Sequence, residues 1–138
     1  KYIALVYGNI KNDNGIIDKP IGRHPINRKK RCINGINPKN AVTYYKVIKR
    51  LGKYTYVECS LETGRTHQIR VHLSDMGNPI IGDKVYGVKK EKFKSSSQML
   101  HAKVICFTHP KTLETMQFDS GVPIRFEEML SKLILISN

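Results

Sequence analysis

Residues 55–62 alternate, with Val57, Cys59 and Leu61 on one side and Tyr56, Glu58, Ser60 and Glu62 on the other. That is the period of a strand with one buried face. The period then changes. After Thr66, a candidate N-cap, Ile69, Leu73 and Met76 recur at helical spacing, and the stripe stops at Gly77 with Pro79 just beyond. Gly64 lies between the two patterns, where a glycine reverses the chain at little steric cost. Strand patterns also cover 2–8, 15–21, 41–48, 100–108 and 114–118. Lys49-Arg50-Leu51-Gly52-Lys53 joins 41–48 to 54–62 at hairpin spacing, and His109-Pro110-Lys111-Thr112 turns a second hairpin. Pro123 opens a last helix in which Phe126, Met129, Leu130 and Leu133 share a face. Residues 22–38 read as a basic loop ending in turns, 79–87 as a loop, and 88–97 as a polar lysine- and serine-rich connection. This order predicts one α+β domain over 1–138, built on a mixed, mainly antiparallel sheet with flanking helices.

With 138 residues, 40% of them hydrophobic, the chain can bury a modest core. Charge changes the picture more. Lys and Arg total 24 against 11 acidic residues, a formal net charge of +13, which predicts attraction to a polyanion and puts nucleic acid first. A membrane surface ranks well below it. No segment has the apolar length of a transmembrane span, and the C-terminal amphipathic helix carries Glu127 and Glu128. Cys32, Cys59 and Cys106 form no C-x-x-C pair, and Cys59 and Cys106 lie in strand patterns as small apolar residues. A reducing, cytoplasmic setting is expected. The chain begins with Lys1 and reads as strand from Tyr2, so the expectation is that either it has been cut or its natural start lies upstream.

Two positive regions are candidates for contact with an anion. Arg23, His24, Arg28, Lys29, Lys30 and Arg31 make the densest basic run; such a run can be a solvated loop, and the net charge favours a phosphate-contact surface. At the helix start, Arg65 sits in the turn while His67 and Arg70 point in neighbouring directions off the apolar stripe. Unpaired N–H groups and the helix dipole add attraction for a carboxylate or phosphate there. The competing reading is an ordinary solvated basic face. His67 and His72 are five residues apart and fall on different faces, so no two-histidine metal site is implied. Neither a P-loop nor a G-x-G-x-x-G pattern occurs, and no cofactor is implied.

Several segments, in order and spacing, resemble one family. Gly64-Arg65-Thr66-His67-Gln68-Ile69-Arg70-Val71-His72-Leu73, Gly77-Asn78-Pro79-Ile80-Ile81-Gly82-Asp83-Lys84-Val85-Tyr86-Gly87, Gln98-Met99-Leu100-His101-Ala102 and Phe107-Thr108-His109-Pro110 are similar to the signature series of the RluA-type pseudouridine synthases. Pro20-Ile21-Gly22-Arg23-His24-Pro25 and the opening around Tyr2 fit the same series. Asn78, where the family usually has histidine, and a shortened serine-rich segment before Gln98 are small departures. A larger one is the family's H-R-L-D segment, whose aspartate is the nucleophile: no Arg-Leu-Asp occurs here, and Asp13, Asp18, Asp75, Asp83 and Asp119 do not match it.

The resemblance implies the C-terminal portion of a catalytic domain that is inactive by itself. It implies isomerisation of uridine to pseudouridine in ribosomal RNA, with transfer RNA as a second target class, by an enzyme needing no metal or cofactor and monomeric when intact. Arg70 matches the basic residue that pairs with the nucleophilic aspartate, Tyr2 the tyrosine that stacks on the base and is a candidate for proton handling at C5, and Leu100 an apolar wall of the pocket. Arg65 and His67 are left as contacts to RNA phosphate or to carboxylates, or as helix caps. A non-catalytic basic RNA-binding module is the alternative. A basic ribosomal-type protein would explain the charge but not the motif series.

Overall fold

Strand β1 (Tyr2–Tyr7) is an uninterrupted apolar run in which Ile3, Ala4, Leu5 and Val6 are all buried, the pattern of a strand covered on both faces. The computed structural model describes residues 1–93, 97–108 and 115–137. After β1 come β2 (Asn14–Asp18), β3 (Ile21–Arg23), β4 (Arg31–Ile33), β5 (Ile36–Lys39), β6 (Val42–Leu51), β7 (Tyr54–Leu61), α1 (Gln68–Asp75), β8 (Leu100–Ala102), β9 (Val104–Thr108), β10 (Thr115–Asp119) and α2 (Ile124–Ser137). A five-stranded sheet runs in the order β2-β6-β7-β1-β8, beside a three-stranded β4-β3-β5 sheet and a β9-β10 hairpin. All pairs among the named strands are antiparallel.

Register decides which side chains meet. Tyr2 opposes Cys59 of β7 and Ala102 of β8, while Ala4 opposes Val57 and Leu100. Alternation therefore places Tyr2, Ala4, Val57, Cys59 and Leu100 on one face, with Ile3, Leu5, Tyr56 and Glu58 on the other. Helix α2 covers the second face: Phe126 is fully buried and its ring lies 5.6 Å from that of Tyr56. Met129 and Leu133 are buried on the same stripe, each such side chain contributing about 1.5–3 kcal/mol on full burial.

Helix α1 lies on the first face, pinned by polar groups. His72 is fully buried. Its Nε2 lies 2.9 Å from the carbonyl of Lys19, which can only accept, so Nε2 carries the proton and Nδ1 accepts from Thr43 Oγ1 at 2.8 Å. Thr43 Oγ1 in turn accepts from Gln68 Nε2 at 3.0 Å. Burial is the leading influence on His72 and, despite the Lys19 carbonyl, its pKa is held below the ordinary value of 6.5. A depressed folded-state pKa means that the unfolded chain binds the proton more readily. This contribution to stability is thus complete above pH 6.5 and is lost as pH falls below it toward the folded value. Urea unfolding across that range is expected to show stability declining on acidification, and His72→Gln should flatten the decline.

Three sequence expectations are corrected. The pattern over 15–21 is two strands: β2 pairs with β6, and after Pro20 the chain enters β3 of the smaller sheet. The basic loop spans the β3–β4 connection rather than lying free, and 31–39 contains two short strands. Gly22 makes this possible, because a Cβ there would stand 2.6 Å from the Gly35 carbonyl carbon and from the Ile36 oxygen. The pattern over 100–108 breaks at Lys103, where the N–H groups of Lys103 and Val104 turn to the Lys1 carbonyl and the chain leaves the five-stranded sheet. The turn expected at 109–112 and part of the expected 88–97 connection, residues 94–96, lie outside the described residues.

Candidate active site

Between β7 and α1 the chain turns through residues 62–67, and the residue that takes the left-handed conformation is His67, at φ 57°, rather than Gly64. Thr66 is not the cap: His67 holds that position without a side-chain capping bond. The turn is tied down instead by Gln68, which is 2% exposed. Its Oε1 accepts from Thr63 Oγ1 at 2.7 Å and from the Arg65 N–H at 2.9 Å, and its Nε2 donates to Val42 O at 2.9 Å. A buried amide with its donors and acceptors matched fixes the geometry of everything it touches. Arg65 Nε donates to Asn40 O at 2.8 Å.

This arrangement closes a pocket of about 160 Å³ lined by Tyr2, Leu61, Arg65, His67, Gln68, Ile69, Arg70 and Leu100. Tyr2 and Leu100 reach it from adjacent strands on one sheet face, and Arg70 from α1. The lining thus combines aromatic and apolar side chains with guanidinium groups, which suits a flat heterocycle beside a charge.

Arg70 has a carboxylate partner inside the chain. Its Nε donates to Asp83 Oδ2 at 2.8 Å and its Nη2 to Asp83 Oδ1 at 2.9 Å, a two-pronged pair in which the Asp83 side chain is 1% exposed. Asp83 Oδ1 also accepts the N–H groups of Val85 and Tyr86, both at 3.0 Å. Burial pushes the Asp83 carboxyl up, but the Arg70 bonds and these two N–H groups outweigh it and leave its pKa below the ordinary value. The motif series places Asp83 only in a loop and puts the expected partner of Arg70 outside the chain, whereas the fold brings Asp83 itself onto Arg70.

Tyr86 completes the surroundings. Its ring packs under the Arg70 guanidinium, 5.0 Å from the centroid. Its hydroxyl shares a 2.7 Å hydrogen bond with His67 Nδ1 and accepts the Arg31 N–H at 2.9 Å. Burial, followed by the charge of Arg70, lowers the His67 pKa and favours a neutral imidazole. His67 therefore meets a tyrosine rather than a carboxylate. Cys59 is fully buried on the same sheet face, and burial pushes its thiol up to about 12, too high for a nucleophile.

Next to the pocket runs a second concavity of about 390 Å³, lined by Arg23, Arg31, Lys39 and Arg65 and by backbone at Gly22 and Gly64. Arg23 and Arg31 are direct cross-strand partners, a like-charge pairing that is unfavourable without an anion. Arg65 belongs to both concavities. Of the remaining basic run, Arg28 and Lys29 are exposed, and Lys30 Nζ stands 5.7 Å from the Tyr86 ring centroid.

The sequence profile of the RNA pseudouridylate synthase family matches residues 1–75. The chain belongs to that family. Among curated proteins it is 44% identical over 133 residues to a Bacillus subtilis (strain 168) protein described as the uncharacterized RNA pseudouridine synthase YlyB, covering 96% of this chain and 43% of that protein. It is 43% identical over 144 residues to the ribosomal large subunit pseudouridine synthase D of Neisseria meningitidis serogroup A, covering 97% and 38%. The chain therefore spans about two fifths of the length of these relatives. Among solved structures, human RNA Pseudouridylate Synthase Domain Containing 1 superimposes with a TM-score of 0.78 at 27% identity, over 96% of this chain and 64% of that one. The α+β fold is that of pseudouridylate synthase domains.

Within this pseudouridine synthase portion, Tyr2, Arg70 and Leu100 meet in one pocket, which Arg65 and His67 also line, with Arg23 and Arg31 in the neighbouring groove. Asp83, Tyr86, Gln68 and Lys39 were not singled out from the sequence as site residues. The first two had a usable signal, since they lie in the Gly82-Asp83-Lys84-Val85-Tyr86-Gly87 segment of the motif series. Gln68 lies in the Gly64–Leu73 segment of the same series, whereas Lys39 had no signal beyond residue type.

Proposed function

We propose that the intact protein to which this chain belongs isomerises uridine to pseudouridine in RNA, and that residues 1–138 supply the base pocket and the arginine but not the nucleophile. The observation that carries this reading is the convergence of Tyr2, Arg70 and Leu100 on a single pocket. In the reaction the C1′–N1 bond of the nucleotide breaks, the uracil rotates, a C1′–C5 bond forms, and the C5 proton leaves as N1 is protonated. An aspartate from a segment outside 1–138 stabilises the detached sugar covalently or as an ion pair. Arg70 holds that carboxylate ionised and oriented, Tyr2 stacks on the flipped base and handles the C5 proton, and Leu100 excludes water on its apolar side. No step calls for a metal or a cofactor.

Ribosomal RNA is the preferred substrate class and transfer RNA the second, a ranking supported by the name of the Neisseria relative. Arg23, Arg28, Lys29, Lys30, Arg31, Arg65 and His67 contact the RNA, with the Arg23–Arg31 groove following phosphates by charge. The intact protein acts as a cytoplasmic monomer. Tritium release from C5-labelled uridine in ribosomal RNA tests the reading. The intact protein is expected to release label, and Tyr2→Leu to lower the rate on the order of 10²-fold, through lost stacking and proton handling, while RNA binding persists. RNA binding by the intact protein without any release would favour the non-catalytic RNA-binding module instead.

A further inference from the structure

Arg70 is a long, flexible side chain, yet it is restrained on two sides. Asp83 grips the edge made by Nε and Nη2, and Arg70 Cζ stands over the Tyr86 ring, 5.0 Å from its centroid. Nη1 is the nitrogen outside the fork, and Arg70 lines the pocket with Tyr2 and Leu100. We propose that Asp83 and Tyr86 are the positioning residues of Arg70, one setting the rotation of the guanidinium and the other its tilt, so that the Nη1 end is the one offered to the reaction centre. The inference rests on reading Arg70 as a residue of that centre.

Both restraints come from one turn, and the turn is itself over-determined. Asp83 Oδ1 accepts the N–H groups of Val85 and Tyr86, Ser74 Oγ of α1 donates to Tyr86 O at 2.9 Å, and the Gly87 N–H returns to Asp83 O at 3.1 Å. A Cβ at Gly87 would stand 2.1 Å from that same Asp83 oxygen, so the turn closes this tightly only with glycine. Tyr86 is fixed at its other end by His67 and the Arg31 N–H. The carboxylate does more than neutralise Arg70. A single-point ion pair would leave the guanidinium free to rotate, whereas the side-on fork removes that freedom before substrate arrives.

Two variants separate the restraints. Asp83→Asn keeps the shape and an oxygen for the Val85 and Tyr86 N–H groups, but sets an amide donor against Arg70. In the intact protein kcat is expected to fall about 10²-fold with KM for RNA changed less than about twofold. Tyr86→Phe keeps the ring and should retain kcat within about threefold, whereas Tyr86→Leu should follow Asp83→Asn. Nitrogen-15 spectra of the arginine side chains give a readout that does not depend on turnover. Wild-type Arg70 should show two resolved Nη groups through slow rotation about Nε–Cζ, and these should merge in Asp83→Asn. Should Asp83→Asn not fold, Tyr86→Leu carries both measurements. Wild-type kcat in Asp83→Asn or Tyr86→Leu, or merged Nη signals already in the wild type, would overturn the proposal. Failure of the intact wild-type protein to form pseudouridine would sink the functional reading instead, and the spectra would still decide whether Asp83 and Tyr86 orient Arg70.

Discussion

Arg70→Ala is expected to abolish turnover in the intact protein and to destabilise it by about 3–5 kcal/mol, because it strands a buried carboxylate. The Asp83 side chain is 1% exposed, so water cannot replace the two lost bonds as it would at the surface. Loss of activity alone would therefore not separate chemistry from folding. The double variant Arg70→Ala/Asp83→Ala does so, since it removes the uncompensated charge. It should recover a large part of the stability and none of the turnover, and RNA binding should be only weakened in either variant. Arg70→Lys keeps the charge but cannot make the fork, and is expected between wild type and alanine in stability.

The same variant should reverse a pH dependence. In the wild type the folded-state pKa of Asp83 is depressed below 3.8. Its contribution to stability is therefore fully present above that ordinary value and lost as pH falls through the folded one. Without Arg70, burial acts against only the two N–H groups of the turn and raises the carboxyl instead. The deficit of Arg70→Ala should then be largest at neutral pH and shrink on acidification. Denaturant unfolding at neutral pH and near pH 3.8 measures both slopes; a deficit that grows toward acid would show that Asp83 is not held ionised by Arg70.

Elements whose pattern is long, and set by a single buried face, were legible in the sequence. The alternation of β7, buried at Thr55, Val57 and Cys59 and only partly buried at Tyr56, Glu58 and Ser60, and the stripe of Phe126, Met129 and Leu133 on α2 are examples. The small β4-β3-β5 sheet was not. Its strands are three or four residues long, the residues of β5 are all exposed, and Pro38 lies within it, so no period could emerge. At Lys103 the alternation continues while the chain changes sheets, and a period carries no information about the partner. Tyr2, Arg70 and Leu100 could be named through the motif series, but their meeting depends on the antiparallel register of β1 and β8. The Arg70–Asp83 pair was hidden for another reason. It joins a helix to a turn closed at Gly87, and although both partners lie in the motif series, nothing in a sequence period says that they meet.

Turnover by residues 1–138 alone should be zero, the largest effect expected here. Asp83, the buried aspartate, is committed to Arg70 and the turn, so its oxygens are already shared among four N–H donors. Asp13 and Asp75 pair with Arg50 and Lys19 at the surface, and Asp119 pairs with Lys103. None of these carboxylates lines the pocket. The cleft nevertheless keeps its basic groove, with Arg23, Arg31, Lys39 and Arg65 facing it. Binding and chemistry are accordingly expected to separate: residues 1–138 should bind RNA, weakening steeply with salt, without converting it.

Mass-spectrometric counting of pseudouridine in unmodified ribosomal RNA, after incubation with the intact protein or with residues 1–138, tests this division most directly. Conversion by the intact protein, with binding but no conversion by residues 1–138, is the predicted result. Conversion by residues 1–138 alone would place the nucleophile within this chain and contradict the account, as would an intact protein that forms no pseudouridine in any RNA.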